Sequence, residues 1–251
     1  MRYVSNFLLI FFLASIAFAQ QQPSADDITR RAVDILGGSD AMQRARYFSF
    51  TFQLEKDGKV VDSFPQKWDR FTGEYEVSGR RPDGLPFDVT INLKTKRGHG
   101  SIQSRPVTDN TEFQKLYELA YSRFINDTFW LLMPLRMVDP GAHRTYDGER
   151  TDTCGHTWDL VKVTFDQGVG MPPPGIYWAW INRNSGVVEQ WDMQLQGMKT
   201  DDPPVEVIFH DYRRIAGLLI SFRKEVRGKG QTVRLDNLQI LPDVPKGAFK
   251  D

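Results

Sequence analysis

The stretch Asn126–Pro140, NDTFWLLMPLRMVDP, sets five consecutive apolar residues, Phe129 to Met133, directly before Pro134. A helix that is apolar all round cannot lie on a surface with one stripe turned inward; it has to be covered on every side. Asn126, Asp127 or Thr128 can accept a hydrogen bond at a helix start, and Pro134 cannot donate one. The spacing therefore predicts a helix of about two turns between those brackets. Something concave must receive it as a plug or lid.

The rest of the chain supplies strands. From Tyr47 the period becomes two: Phe48, Phe50, Phe52 and Leu54 alternate with Ser49, Thr51 and Gln53. A turn at Asp57-Gly58 leads into a return strand with Phe64 and Trp68 on one face. Tyr75 and Val77 continue the alternation, and Phe87, Val89, Ile91 and Leu93 give its clearest instance. Between 108 and 125, Phe113, Leu116, Tyr117, Ala120 and Phe124 recur at helical spacing, so the plug is reached through an amphipathic helix. Six further strands are expected over 158–165, 176–182, 187–196, 205–212, 218–226 and 232–241, with a stiff loop at Met171–Gly175, where three prolines are consecutive. The total of about ten or eleven strands predicts a mainly β (α+β) fold: a single curved antiparallel sheet or incomplete β-barrel. An N-terminal helix starts at Ser24 and stops at Gly37-Gly38, and the helical insertion occupies about 108–134.

The N-terminal residues bound the compartment. One basic residue, Arg2, precedes a run from Phe7 to Phe18 that is apolar apart from Ser15, and Ala17 and Ala19 fit the small-residue rule for cleavage. That run falls short of the roughly 20 apolar residues a membrane-spanning helix needs. The expectation is a signal peptide over 1–19, one domain over 20–251, no transmembrane segment in the mature chain and a periplasmic destination. Lysine plus arginine equal aspartate plus glutamate at 32 each, which removes the electrostatic reason to invoke nucleic acid. Cys154 is the one cysteine, so no intramolecular disulfide can form, and the usual burial of free cysteine favours a buried Cys154 over a reactive thiol.

Chemistry is sparse in the pattern. The four histidines lie far apart, and Cys154 with His156 offers two ligands where a stable zinc site needs three or four. No nucleophile elbow, phosphate-binding loop or dinucleotide fingerprint occurs, so neither an enzyme, a metal nor a cofactor is expected. The six tryptophans are more telling. Aromatic residues on strands are ordinary core fillers, yet apolar pockets are lined by the same side chains. The candidate ligand-binding set is Phe50, Phe52, Trp68, Phe87, Val89, Ile91, Trp130, Met133, Trp178, Trp180, Trp191 and Met193, of which Phe87, Val89, Ile91, Trp178, Trp180, Trp191 and Met193 are taken as sharing one sheet face.

A signal peptide, a helix ending in Gly-Gly, WDRFTG at Trp68–Gly73, NDTFWLLMP and DYRRIAGLLISF at Asp211–Phe222 resemble an uncharacterised family of bacterial exported proteins. That family is similar in turn to the periplasmic lipoprotein carriers LolA and LolB. The resemblance implies an incomplete antiparallel barrel with a helical lid over an apolar cavity that holds acyl chains in transit. No acyl-binding or handover residue of those carriers maps onto a position here. The resulting expectation is a non-enzymatic exported protein holding a lipid, a lipoprotein acyl chain or another apolar ligand in a half-barrel. The alternative is a structural or interaction module with a closed aromatic core and an envelope protein as partner.

Overall fold

The computed structural model describes residues 24–166, 174–199 and 201–249. The expected signal peptide, and the proline loop up to residue 173, lie outside the described residues. Thirteen strands form one sheet in the order β6-β5-β4-β3-β2-β1-β13-β12-β11-β10-β9-β8-β7. Strands β1 (Tyr47–Lys56), β2 (Lys59–Asp69), β3 (Glu74–Arg80), β4 (Pro86–Asn92), β5 (Arg97–Ile102) and β6 (Arg105–Pro106) meander outward to one edge. The chain then crosses to the opposite edge. There β7 (Ala142–Thr151), β8 (Thr157–Phe165), β9 (Gly175–Asn182), β10 (Val188–Leu195), β11 (Val205–Ile215), β12 (Leu218–Val226) and β13 (Gln231–Leu241) return until β13 pairs with β1 in the middle. The edges β6 and β7 remain apart, so the sheet is curved but unclosed. Register shifts after Ser49, Leu54, Tyr146 and Val188 mark places where an extra residue bends a strand and increases its twist.

The crossing between edges is the helical insertion. Helix α3 (Asn110–Leu132) starts where the Asp109 side chain accepts from the Glu112 N–H at 2.8 Å, and a 3₁₀ turn, Met133–Val138, follows it. At 1.5 Å per residue a helix of 23 residues spans roughly 34 Å, enough to traverse the hollow. The expected break before Phe129 does not occur. Thr128 Oγ1 donates back to the Phe124 carbonyl at 2.7 Å, and Asp127 is engaged by side chains instead of capping a new helix. Pro134 falls in the first turn of the 3₁₀ segment, where its missing N–H costs nothing. Two short helices, α1 (Ala25–Ile35) and α2 (Gly38–Arg44), close the same end, α1 packing on the 3₁₀ turn and α2 beside β12. Gly37 makes this corner possible: its φ is +120°, and a Cβ there would lie 2.6 Å from the Gly217 carbonyl oxygen.

The core fills the concave side. Phe129, Leu131, Leu132 and Met133 are buried, and Trp130 is half-buried, so the apolar helix end is covered except along the side that Trp130 occupies. Phe124 inserts edge-on against both Trp68 and Tyr75, with ring centroids 5.1 and 5.2 Å apart. Thirteen strands stand against the ten or eleven expected, and β5, β6 and β7 are the ones to which the sequence assigned no range. Cys154 is exposed in the turn between β7 and β8, contrary to the burial expected of it, because its N–H joins that of His156 on the Asp152 carboxylate in a tight polar turn.

Candidate functional site

Nine of the twelve candidate ligand residues meet in one buried cluster: Phe50, Phe52, Trp68, Phe87, Val89, Ile91, Met133, Trp191 and Met193. Trp130 is half-buried at its margin. Trp178 and Trp180 do not share that face. In β9 the inward residues are Tyr177, Ala179 and Ile181, and the strand's period of two sends both tryptophans to the convex side. Their indole N–H groups donate to Asp147 at 3.0 Å and Asp192 at 2.7 Å. Aromatic residues of both parities, at positions 177, 178 and 180, hid the parity of this strand.

The helix is fixed to the sheet by a buried polar clamp. Asp127 accepts from Arg123 Nε at 3.0 Å and from Asn126 Nδ2 at 2.8 Å, and also from Gln66, whose Oε1 in turn accepts from the Tyr75 hydroxyl at 2.6 Å. The Arg123 guanidinium lies between the rings of Phe52 and Phe64, at 4.9 and 3.9 Å from their centroids. Burial pushes the Asp127 carboxyl up to about 6, against the opposing pull of Arg123 and the hydrogen bonds. This clamp joins α3 to β1, β2 and β3.

A cleft of about 600 Å³ opens where α1, α2 and the 3₁₀ turn meet the end of β2. Its apolar wall comprises Val33, Met42, Trp68, Leu132, Leu135 and Val138, and Arg30, Arg70 and Arg136 stand among these residues. Arg30 pairs with Asp27 at 2.9 Å and Arg136 with Asp139 at 3.1 Å. Arg70 instead donates from Nε to the Ala45 carbonyl at 2.9 Å and from a terminal nitrogen to that of Met42, so its charge sits against the C-terminal end of α2. Of the twelve candidate residues, Trp68 alone lines the cleft. Arg70 lies in the WDRFTG segment and Leu135, Arg136, Val138 and Asp139 in MPLRMVDP, which as sequence read as turn and plug; the rest of the lining comes from α1, α2 and the end of α3.

Beside the cleft lies a small void of about 10 Å³, bounded by Leu131, Leu132, Leu135, Tyr212, Ile220 and Lys224 among others. Leu132 and Leu135 are walls of both spaces. Lys224 is 1% exposed, and its Nζ donates to the Ser221 carbonyl at 2.6 Å and lies 5.5 Å from the centre of the Phe209 ring. Burial lowers its pKa to about 7. Among the described residues no group of three or more histidine, cysteine or acidic side chains is arranged to hold a metal, and no helix is long and apolar enough to cross a membrane.

An unclosed antiparallel sheet wrapped around one long crossover helix is the LolA-like fold. Among solved structures, a DUF1329 family protein from Desulfovibrio piger aligns with a TM-score of 0.51 at 14% identity, over 90% of this chain and 97% of that one. The LolA superfamily protein NE2245 from Nitrosomonas europaea aligns with a TM-score of 0.50 at 11% identity, over 91% and 98%. At such identities the likeness is one of fold. Neither a family model nor a curated protein matches the sequence.

Proposed function

We propose that this protein is an exported, non-enzymatic carrier that shelters the apolar chain of a lipid or of a lipoprotein in the bacterial envelope. The observation that carries this reading is the cleft of about 600 Å³ whose apolar wall shares Leu132 and Leu135 with the void beside it. Its volume falls within the roughly 300–1,000 Å³ typical of small-molecule pockets. Shifting the 3₁₀ turn would join cleft and hollow without unfolding the sheet. The LolA-like fold agrees with a carrier, and the signal-like N-terminus agrees with a periplasmic site of action. In this reading Trp68, Leu132 and Leu135 line the path of the chain, and Trp130 and Met133 lie beside it where α3 passes into the 3₁₀ turn. The deeper aromatic residues shape its floor, and Trp178 and Trp180 are outside it.

A second reading has a specific observation in its favour. Met133, Met137, Phe129 and Trp191 are all essentially inaccessible, so the hollow is already filled by the chain itself. In that case the protein is an interaction module and its outer surface meets an envelope partner. Native mass spectrometry with lipid extraction, on protein purified from its host's envelope, separates the two. A stoichiometric acyl-containing species is the expected result; a bare mass, together with no uptake of added lipid, refutes the carrier reading.

A further inference from the structure

Lys224 is a buried amine in the hollow whose donor capacity is used only in part. Its face of β12 is otherwise apolar, with Leu218, Ile220, Phe222 and Val226 at the alternate positions, and across the ladder it opposes Phe209 and Val233. An ammonium group carries three donors, and here one of them meets the Ser221 carbonyl. The residues bounding the adjoining void include Tyr212 and Ser221 as polar members and no carboxylate. A buried cation is ordinarily paired or relieved of its charge, and isolated burial is costly. The amine therefore sits in an apolar chamber with donor capacity to spare. Two leucine side chains separate that chamber from an apolar cleft open to solvent.

We propose that Lys224 anchors the carboxylate of a long-chain fatty acid, held acid end inward with its chain running past Leu132 and Leu135 into the cleft. The inference rests on the carrier reading and gives that reading a ligand class. Three features favour a carboxylate over a phosphate headgroup. The chamber is water-sized, so a small planar head enters with least displacement of its walls. A single amine balances a single negative charge, whereas a phosphate monoester brings close to two and several acceptor oxygens. Of the cleft arginines, Arg30 and Arg136 already face Asp27 and Asp139, and Arg70 is held by two carbonyls at the end of α2, whereas the inner amine meets a single carbonyl. Entry requires the 3₁₀ turn to yield at Leu135, the same movement that opens the cleft to the hollow.

The test compares oleate with oleyl alcohol, two probes of equal chain length that differ at the head. Delipidated wild-type protein and Lys224→Met are titrated with each, followed by native mass spectrometry. Wild type is expected to hold oleate about 10- to 100-fold more tightly than the alcohol, the range for a charge-assisted hydrogen bond, and Lys224→Met to hold the two equally. Equal binding of both probes by wild type overturns the role of Lys224 and leaves the carrier reading intact, as does a preference for oleate that survives in Lys224→Met. The wild-type comparison stands by itself if the variant does not fold. Binding of neither probe overturns the carrier reading, and this inference with it.

Discussion

Replacing Lys224 with methionine is expected to make the protein more stable, by an amount that depends on pH. Methionine has nearly the same length and no charge, so the site stays filled while the buried amine is removed. In the folded chain burial lowers the amine's pKa from 10.5 to about 7. Between those values the unfolded state binds more protons than the folded one, so wild-type stability rises with pH through this window. Below about pH 7 the full penalty applies, roughly 4–5 kcal/mol at 1.36 kcal/mol per unit. Near pH 9 about 2 kcal/mol remains, and near pH 11 almost none. The lost bond to the Ser221 carbonyl offsets about 1 kcal/mol of the gain at every pH. Urea denaturation of wild type and variant at several pH values measures the difference directly, provided both unfold in one cooperative step. The variant should be the more stable by a few kcal/mol at neutral pH, with the advantage shrinking as pH rises. A variant less stable than wild type at neutral pH would mean that the ammonium is well satisfied, and the reasoning would fail.

The Asp127 clamp gives the opposite slope: a carboxyl raised to about 6 stabilises the fold below its unfolded pKa near 4 and loses that contribution as pH rises through 6. Stability is expected to be roughly 2 kcal/mol greater near pH 4.5 than near pH 7 from this group, and Asp127→Asn should remove that difference; an unchanged slope in matched urea melts counts against it. Asp69 does not interfere, because hydrogen bonds from Arg46, Thr72 and two backbone N–H groups outweigh burial and hold its carboxyl at about 2, so its contribution disappears only as pH falls through that value. Gly100→Ala would set a Cβ 2.6 Å from the Leu116 side chain and 2.9 Å from the Asp88 carbonyl oxygen, forcing α3 off β5. A loss of about 1–3 kcal/mol is expected in thermal or urea unfolding, and a neutral effect would show that helix and strand can part there. Cys154, exposed in its turn, should react stoichiometrically with a thiol reagent without denaturant, and protection in the native protein would contradict that exposure.

How far the sequence reveals the fold depended on whether each element carries its own period. Strand β4, with Phe87, Val89 and Ile91 inward, could be read directly because one of its faces is core and the other is not. Strand β5, RGHGSI, has no apolar alternation: Gly98 and Gly100 are required by close approach to β4 and α3, and packing rather than propensity makes it a strand. Strand β7 is an edge, polar along most of its length, and carries the charges expected where one side has no pairing neighbour. The continuous helix was obscured at Asn126-Asp127-Thr128, whose residue types suit a cap. They sit mid-helix because Gln66 and Tyr75, distant in sequence, join Arg123 one turn back in a partner network for Asp127. The same limit applies to the cleft, assembled from α1, α2, β2 and the 3₁₀ turn. Lys224, one lysine among many, became distinctive only once it was found buried.

The topology also constrains how such a hollow can open. Helix α3 is not a flap hinged at one end, because it leads from β6 at one edge of the sheet toward β7 at the other and is clamped through Asp127 in its C-terminal third. Swinging it out would break the clamp, expose the Arg123 charge and uncover Phe124, Phe129 and Leu131 together. Breaking one partner of a buried pair alone costs about 3–5 kcal/mol. The segment after it is held differently. The 3₁₀ turn runs from Met133 to Val138, and its hold on the neighbouring chain includes the Arg144 guanidinium, which donates to the Met137 carbonyl at 2.9 Å and to Asp26 of α1 at 2.6 Å. A rearrangement confined to α1 and this turn would separate Leu135 from the hollow while α3 stays in place, at the cost of the Arg144 bonds and of the apolar area of Leu135, Met137 and the underside of α1, with the buried clamp left intact. The route of least work into the hollow therefore passes between the N-terminal helix and the 3₁₀ turn. That is where the cleft lies, with Lys224 at the far side of the two leucines.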